Sequence, residues 1–330
     1  VSEGQARRLS VFVASTFIEE VEAELADAFD VTFVGKRARG GDRLVELAAC
    51  IDRGEAFDVV LFSLDVAMGA REIGALPADV RALATYSVGT DHIDLAAATE
   101  RGLAVFNTPG VLADSVAENA IFLMLAAARR ATESIDLLRS REWPGWNPTQ
   151  LVGVQLSGRT LGILGMGDIG ERVAMRARAL GMEILYCNRR PLVVDHPVQG
   201  GYRATASELI ADSDFLLLAC PSTEQTRGIV DESLLSQAKA GLILVNIARG
   251  DLVDDDALVA ALSDGRVWAA GLDVFAGEPR IDERYFDLLN VFMLPHVGSS
   301  TLEARLGMGR ILIEGLTQWQ AGNDAINRVC

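Results

Sequence analysis

Between Thr160 and Gly170 the chain reads TLGILGMGDIG, an apolar run that enters Gly165, Gly167 and Gly170 at the spacing GxGxxG. Few local folds satisfy that spacing. The first glycine permits a tight turn, the second lets backbone come close to a pyrophosphate, and the third lets the next helix pack on the strand. A helix opening at Asp168 turns free N–H groups and the positive end of its dipole toward an anion. The pattern alone also describes a plain glycine turn; its setting favours a dinucleotide. Thr160–Leu164 reads as a buried strand, 171–180 as a helix and Glu183–Cys187 as the next strand, which is a full βαβ unit. Gly165, Met166, Gly167, Asp168, Ile169 and Gly170 are therefore candidate cofactor contacts.

Strands and helices alternate along nearly the whole chain, an α/β pattern. Upstream of the glycine turn, 9–14, 31–34, 59–62, 84–88 and 104–106 read as strands of a first, smaller sheet, with helices such as 19–29 and 43–52 between them. A long helix is expected from about Ser115 to Arg130, followed by the loop REWPGWNP. A second sheet then starts at Thr160, with strands ending near Gly165, Cys187, Ala219, Ile247, Leu272 and Pro295 and a last helix at about 301–320. If that helix returns to the first sheet, the dinucleotide-binding domain is 108–297, inserted in a substrate domain made of 1–107 and 298–330, with hinges near 107 and 297.

Composition narrows the partners. Thirty Lys and Arg stand against 46 Asp and Glu, a net charge of −16, which argues against nucleic acid and against an anionic membrane surface. The longest apolar stretch, 117–128, is broken by Glu118 and Asn119 and is too short to span a bilayer. Cys50, Cys187, Cys220 and Cys330 show neither disulfide nor zinc spacing, and the first residues lack the apolar core of a signal peptide, so a cytoplasmic location is expected. The acidic run Asp254–Asp256 fits the first turn of a helix rather than a metal site.

Ligands of open α/β sheets bind beyond the carboxyl ends of the strands. There the second sheet offers, in order, the glycine loop, Asn188 with Arg189 and Arg190, Cys220 and Pro221, Ala248 and Arg249, Asp273, and His296. Of the three histidines, His92 sits in TDHID, where a capping or surface role is expected, and His196 in a polar loop. His296 follows the apolar strand VFMLP and precedes Gly298, Ser299 and Ser300. It reads as a buried structural histidine or as an acid–base group, and Glu278 in GLDVFAGEP favours the second, because a carboxylate beside imidazole stabilises the imidazolium and orients the ring. Glu278 also reads as a solvated turn carboxylate, and Arg249 as a helix-flanking surface arginine. Beyond Cys187 no acidic residue is available for ribose hydroxyls; Asn188 does not repel a 2′-phosphate and the two arginines can bind one, so NADP is favoured over NAD.

From residue 9 to 320 the chain resembles the D-isomer-specific 2-hydroxyacid dehydrogenase family, through TYSVGTDHIDL, NTPGVLADSVAE, LGILGMGDIG, CPSTEQT, NIARGDLV, GLDVFAGEP and PHVGSST in that order. The resemblance implies a Rossmann-type doubly wound parallel-sheet cofactor domain inserted in a flavodoxin-like α/β substrate domain. It places the family's catalytic arginine, glutamate and histidine on Arg249, Glu278 and His296, its nicotinamide-facing aspartate on Asp273, and its substrate-carboxylate loop on Val88 and Gly89. Arg249, His296 and Ser299 join that loop as candidate substrate contacts. Ala113 departs from the threonine many relatives carry there. The implied reaction is NAD(P)H-dependent reduction of a small 2-oxo acid, with protonated His296 as proton donor and the first domain closing over the site. The loop WPGWNP, with Trp143 and Trp146, is similar to the glyoxylate and hydroxypyruvate reductase branch, which also includes reductases of 2-ketogluconate and hydroxyphenylpyruvate. A homodimer is implied as well. A dinucleotide-sensing scaffold, like the corepressors that share the fold, is the alternative of another class.

Overall fold

The computed structural model describes residues 7–35, 42–193 and 201–330. The chain divides into two compact units, 1–112 with 300–330, and 113–299.

The first unit holds a five-stranded parallel sheet of β1 (Ser10–Val13), β2 (Asp30–Phe33), β3 (Val59–Phe62), β4 (Ala82–Thr85) and β5 (Ala104–Phe106), in the order β2-β1-β3-β4-β5. All four side chains of β3 are fully buried, because helices cover both faces, and the strand therefore reads as an unbroken apolar run rather than an alternation. At roughly 1.5–3 kcal/mol for each large apolar side chain withdrawn from water, the central strands stabilise this sheet far more than the edge strand β2, whose Phe33 is exposed. The strand expected at 84–88 begins and ends earlier. Its ladder stops at Thr85, and the residues after it turn, with the Ser87 hydroxyl bonded to the Gly89 carbonyl. The end of the chain returns to this unit: Val329 N–H bonds Val105 O, Val105 N–H bonds Cys330 O, and Arg328 bridges antiparallel to Phe106. The helix Leu302–Gln320, capped by the Thr301 hydroxyl, packs against the helix Glu19–Ala28.

The second unit holds seven parallel strands: β6 (Thr160–Leu164), β7 (Glu183–Cys187), β8 (Tyr202–Arg203), β9 (Phe215–Leu218), β10 (Leu242–Asn246), β11 (Val267–Leu272) and β12 (Val291–Met293). Their order, β12-β11-β10-β9-β6-β7-β8, is the doubly wound arrangement, reversing direction at β6. Six strands were expected. The seventh, β8, is only two residues long and pairs Tyr202 with Tyr186 and Arg203 with Cys187. The long helix spans Ala113–Ala128, and a second helix, Ala131–Arg139, which was not expected, fills the stretch before the loop REWPGWNP. Arg130, at φ 55°, turns the chain between them, and its guanidinium bonds Glu133 at 2.9 Å. Among the described residues no helix is long and apolar enough to cross a membrane.

Candidate active site

At the switch point β6 lies between β7 and β9, and the glycine loop leaves its carboxyl end. Gly165 has φ 104°, and a Cβ there would lie 2.5 Å from the Cys220 nitrogen and 2.7 Å from the Ala219 oxygen, so the two strand ends touch through backbone alone. A Cβ on Gly170 would lie 2.4 Å from the Gly165 oxygen, which explains how the helix Asp168–Ala179 sits down on the loop. Gly167 differs. Nothing in the protein lies within 4 Å of its Cβ position, so no protein contact demands a glycine there, and the empty space leads onto a helix N-terminus that no side chain caps. Asp168 is engaged by Arg172 at 2.9 Å, and Ile169 is half-buried.

Asn188, at the end of β7, does more than leave out a carboxylate. Its Oδ1 accepts the Met166 N–H at 2.7 Å and its Nδ2 donates to the Met166 carbonyl at 3.1 Å, so one side chain fixes the middle peptide of the glycine loop. Nothing in the pattern GxGxxG reveals that brace; an asparagine ending an apolar strand is the only hint. Arg189 and Arg190 are exposed, and no hydrogen bond or ion pair holds either among the described residues. An open cradle at Gly167, an uncapped helix N-terminus and two available cations fit a dinucleotide. Cys220 is half-buried, and burial chiefly pushes its thiol up to about 11, which keeps it protonated. Pro221 is exposed and its carbonyl accepts the Thr226 hydroxyl at 2.7 Å.

Three turns converge beyond β10, β11 and β12. Asn246, 1% exposed, accepts the Ala248 N–H at 3.0 Å and donates to the Arg249 carbonyl at 2.8 Å, which pins the turn that carries Arg249. This positioning residue was not read from the sequence. Arg249 also donates to the Ala248 carbonyl at 2.7 Å. Gly250 lies so close to the backbone of Phe275 and Ala276 that any side chain would collide with it, which brings the Arg249 turn against the turn holding Glu278.

Asp273, 1% exposed, controls the third turn. Its carboxylate accepts the Val297 and Gly298 N–H groups at 2.8 Å each, and its carbonyl accepts the His296 N–H at 2.8 Å. That grip holds His296 at φ 54°, a left-handed conformation uncommon outside glycine. Burial raises the Asp273 pKa, against the two N–H groups and the field of His296. Gly298 is further fixed by the Ser115 hydroxyl, 2.6 Å from its carbonyl, and Ser299 follows it, half-buried. His296 Nδ1 lies 2.8 Å from Glu278 Oε2, while the Phe275 N–H donates to the other Glu278 oxygen at 2.7 Å. Burial opposes the Glu278 charge, but the His296 bond, the Phe275 N–H and the fields of His296 and Arg249 outweigh it and hold its carboxyl below the usual range. An ionised Glu278 requires the proton on Nδ1, which leaves His296 Nε2 for chemistry.

In the first unit Val88 and Gly89 follow β4. Asn107 Nδ2 donates to the Val88 carbonyl at 2.9 Å and the Ser87 hydroxyl to the Gly89 carbonyl at 2.7 Å. No hydrogen bond takes the N–H of Val88, Gly89 or Thr90 among the described residues. His92 is not a cap, and it is half-buried. Asp94 caps the helix Leu95–Glu100, while the His92 ring meets Phe62 edge-on at 5.6 Å and its Nε2 bonds Thr85 Oγ1 at 2.9 Å. His196 lies outside the described residues.

The model of the D-isomer specific 2-hydroxyacid dehydrogenase NAD binding domain matches residues 121–298. A glycerate dehydrogenase of Hyphomicrobium methylovorum is 39% identical over 292 residues, 88% of this chain and 89% of that protein. A glyoxylate reductase of Thermococcus litoralis is 41% identical over 76% of this chain and 77% of its own. Among solved structures, a D-isomer specific 2-hydroxyacid dehydrogenase from Polaromonas sp. JS6 66 superposes with a TM-score of 0.90 at 39% identity, covering 98% of this chain and all of that one. An NADPH-dependent glyoxylate/hydroxypyruvate reductase from Sinorhizobium meliloti, in complex with NADP and malonate, superposes at 0.84 with 30% identity, covering 98% of this chain and 97% of that one.

Proposed function

Since the chain belongs to the D-isomer-specific 2-hydroxyacid dehydrogenase family, we propose that it reduces a small 2-oxo acid, glyoxylate or hydroxypyruvate in the first place, to the D-2-hydroxy acid, with NADPH favoured over NADH. The observation that carries this reading is the Glu278–His296 pair at 2.8 Å beside Arg249. A bound reduced nicotinamide supplies the hydride. His296 Nε2 gives its proton to the carbonyl oxygen as negative charge develops there, a contribution typically worth about 10²–10⁴-fold. Glu278 holds the Nδ1 end, so the ring cannot turn its donor away. Arg249 meets the carboxylate and carbonyl side of the substrate, since a planar guanidinium matches that geometry as lysine does not. The free N–H groups at Val88, Gly89 and Thr90 form an anion nest suited to the carboxylate.

Gly165 to Gly170 would hold the pyrophosphate, and Arg189 with Arg190 a 2′-phosphate. The relatives' names support the substrate class, and the structural relative crystallised with NADP supports the cofactor. A homodimer is part of the proposal. Along 113–146 the cofactor-binding unit exposes Phe122, Leu125, Ile135, Leu138, Trp143 and Trp146, apolar side chains that a second copy of the chain would cover.

The test is turnover of glyoxylate, hydroxypyruvate, 2-ketogluconate and hydroxyphenylpyruvate, each with NADPH and NADH. Consumption of NADPH with one of the first two is the expected result. Tight dinucleotide binding with no turnover of any acid would point instead to a dinucleotide-sensing scaffold.

A further inference from the structure

Behind the Val88–Gly89 turn runs a line of buried hydroxyls. The Ser87 hydroxyl donates to the Gly89 carbonyl at 2.7 Å; Thr85 Oγ1 lies 2.7 Å from Ser87 Oγ; His92 Nε2 lies 2.9 Å from Thr85 Oγ1. Thr85 is fully buried and Ser87 is 4% exposed, so water does not substitute for these partners. Each hydroxyl has one proton to give. Ser87 spends its proton on the Gly89 carbonyl, which can only accept, and so must itself accept from Thr85. Thr85 has then spent its own and must accept from His92. The direction of every bond is fixed from the carbonyl back to the imidazole, and the proton on His92 stands on Nε2.

We propose that His92, Thr85 and Ser87 are positioning residues, forming a one-way relay that turns the Gly89 carbonyl into the protein and so presents the N–H groups of the turn to the substrate carboxylate. Asn107 does the same for the Val88 carbonyl, which leaves Gly89 as the peptide whose orientation the relay decides. The inference rests on the reading that these N–H groups receive the carboxylate. It explains why a half-buried histidine in the first unit, far along the chain from His296, is packed edge-on against Phe62 with its Nε2 on Thr85.

Two measurements test it. The ¹⁵N spectrum of the His92 imidazole should show Nε2 protonated in the wild-type protein; a neutral ring protonated only on Nδ1 would overturn the relay whatever the enzyme reduces. In steady-state kinetics with glyoxylate, Thr85→Val should raise the KM for the acid about three- to tenfold, the worth of one neutral hydrogen bond, with kcat and the KM for NADPH little changed. Thr85→Ser, which restores the hydroxyl, should return the KM to the wild-type value, and His92→Phe, which keeps the ring against Phe62, should match Thr85→Val. An unchanged KM in Thr85→Val, or a loss that Thr85→Ser does not rescue, would overturn the proposal while wild-type turnover stood. If wild-type protein reduced none of the acids, the proposed function would fall, and the tautomer would still decide the relay.

Discussion

Glu278 Oε2 meets His296 Nδ1 at 2.8 Å, and the Phe275 N–H on the other Glu278 oxygen keeps the carboxylate aimed at the ring. One nitrogen of His296 is thereby occupied and the other is left to exchange a proton. His296→Ala should lower kcat by at least about a hundredfold and leave NADPH affinity, measured by fluorescence titration, nearly unchanged, because the glycine loop is built from other strands. A parallel collapse of NADPH affinity would make His296 a structural residue.

The two acidic residues of this corner should respond to pH in opposite directions. Burial resists the Glu278 charge, but the His296 bond and the other cationic and N–H partners prevail, so its carboxyl titrates below the ordinary 4.5. A carboxyl of lowered pKa contributes stability that is present above the unfolded value and lost as pH falls through the folded one. Asp273, raised by burial from 3.8, contributes stability that is present below that value and lost as pH rises through the folded one. By differential scanning, the melting-temperature advantage of wild type over Glu278→Gln should shrink as pH falls below about 4.5, while its advantage over Asp273→Asn should shrink as pH rises. Parallel trends for the two variants would contradict these assignments.

Most of the second sheet is legible in the sequence because a parallel strand buried on both faces is a short apolar run, and here each of the six expected runs leads to a residue that apolar packing does not explain: Gly165, Asn188, Pro221, Arg249, Asp273, His296. What pattern cannot supply is the pairing of groups distant along the chain. Asn188 reads as the absence of a carboxylate, yet its function in the fold is to hold Met166 across two strands. Even a short-range pair can be hidden: His92 reads as polar and near a helix start, yet its ring bonds Thr85, seven residues earlier at the end of β4. The helix Ala131–Arg139 is not announced in the sequence, because only the left-handed backbone of Arg130 separates it from the long helix and arginine carries no signal for that conformation. Two-residue β8 is too short to show any periodicity.

The apolar surface between Phe122 and Trp146 predicts association. Light scattering at micromolar concentration should give twice the 35.4 kDa of one chain, and Phe122→Asp with Leu125→Asp should give a soluble monomer. Both side chains are substantially exposed, so the charges cost little in a monomer and much in an interface. A wild-type monomer would refute the assembly.

Cofactor preference tests the end of β7, and there the three residues separate. Arg189 and Arg190 are exposed and would meet a 2′-phosphate directly, each charge-assisted bond being worth roughly 1.5–3 kcal/mol, about ten- to a hundredfold in affinity. Replacing both with glutamine should lower kcat/KM for NADPH, chiefly through KM, and leave NADH nearly unaffected, because the adenosine end binds ground and transition states alike. The difference should shrink in high salt, as the cations are open to solvent. Asn188→Asp is a different experiment. The carboxylate keeps an acceptor for the Met166 N–H but sets its second oxygen against the Met166 carbonyl, so the glycine loop itself is disturbed and both cofactors should bind more weakly. A clean switch to NADH in Asn188→Asp alone would show that the brace is dispensable, and unchanged NADPH kinetics in the double arginine variant would reduce both arginines to surface charges.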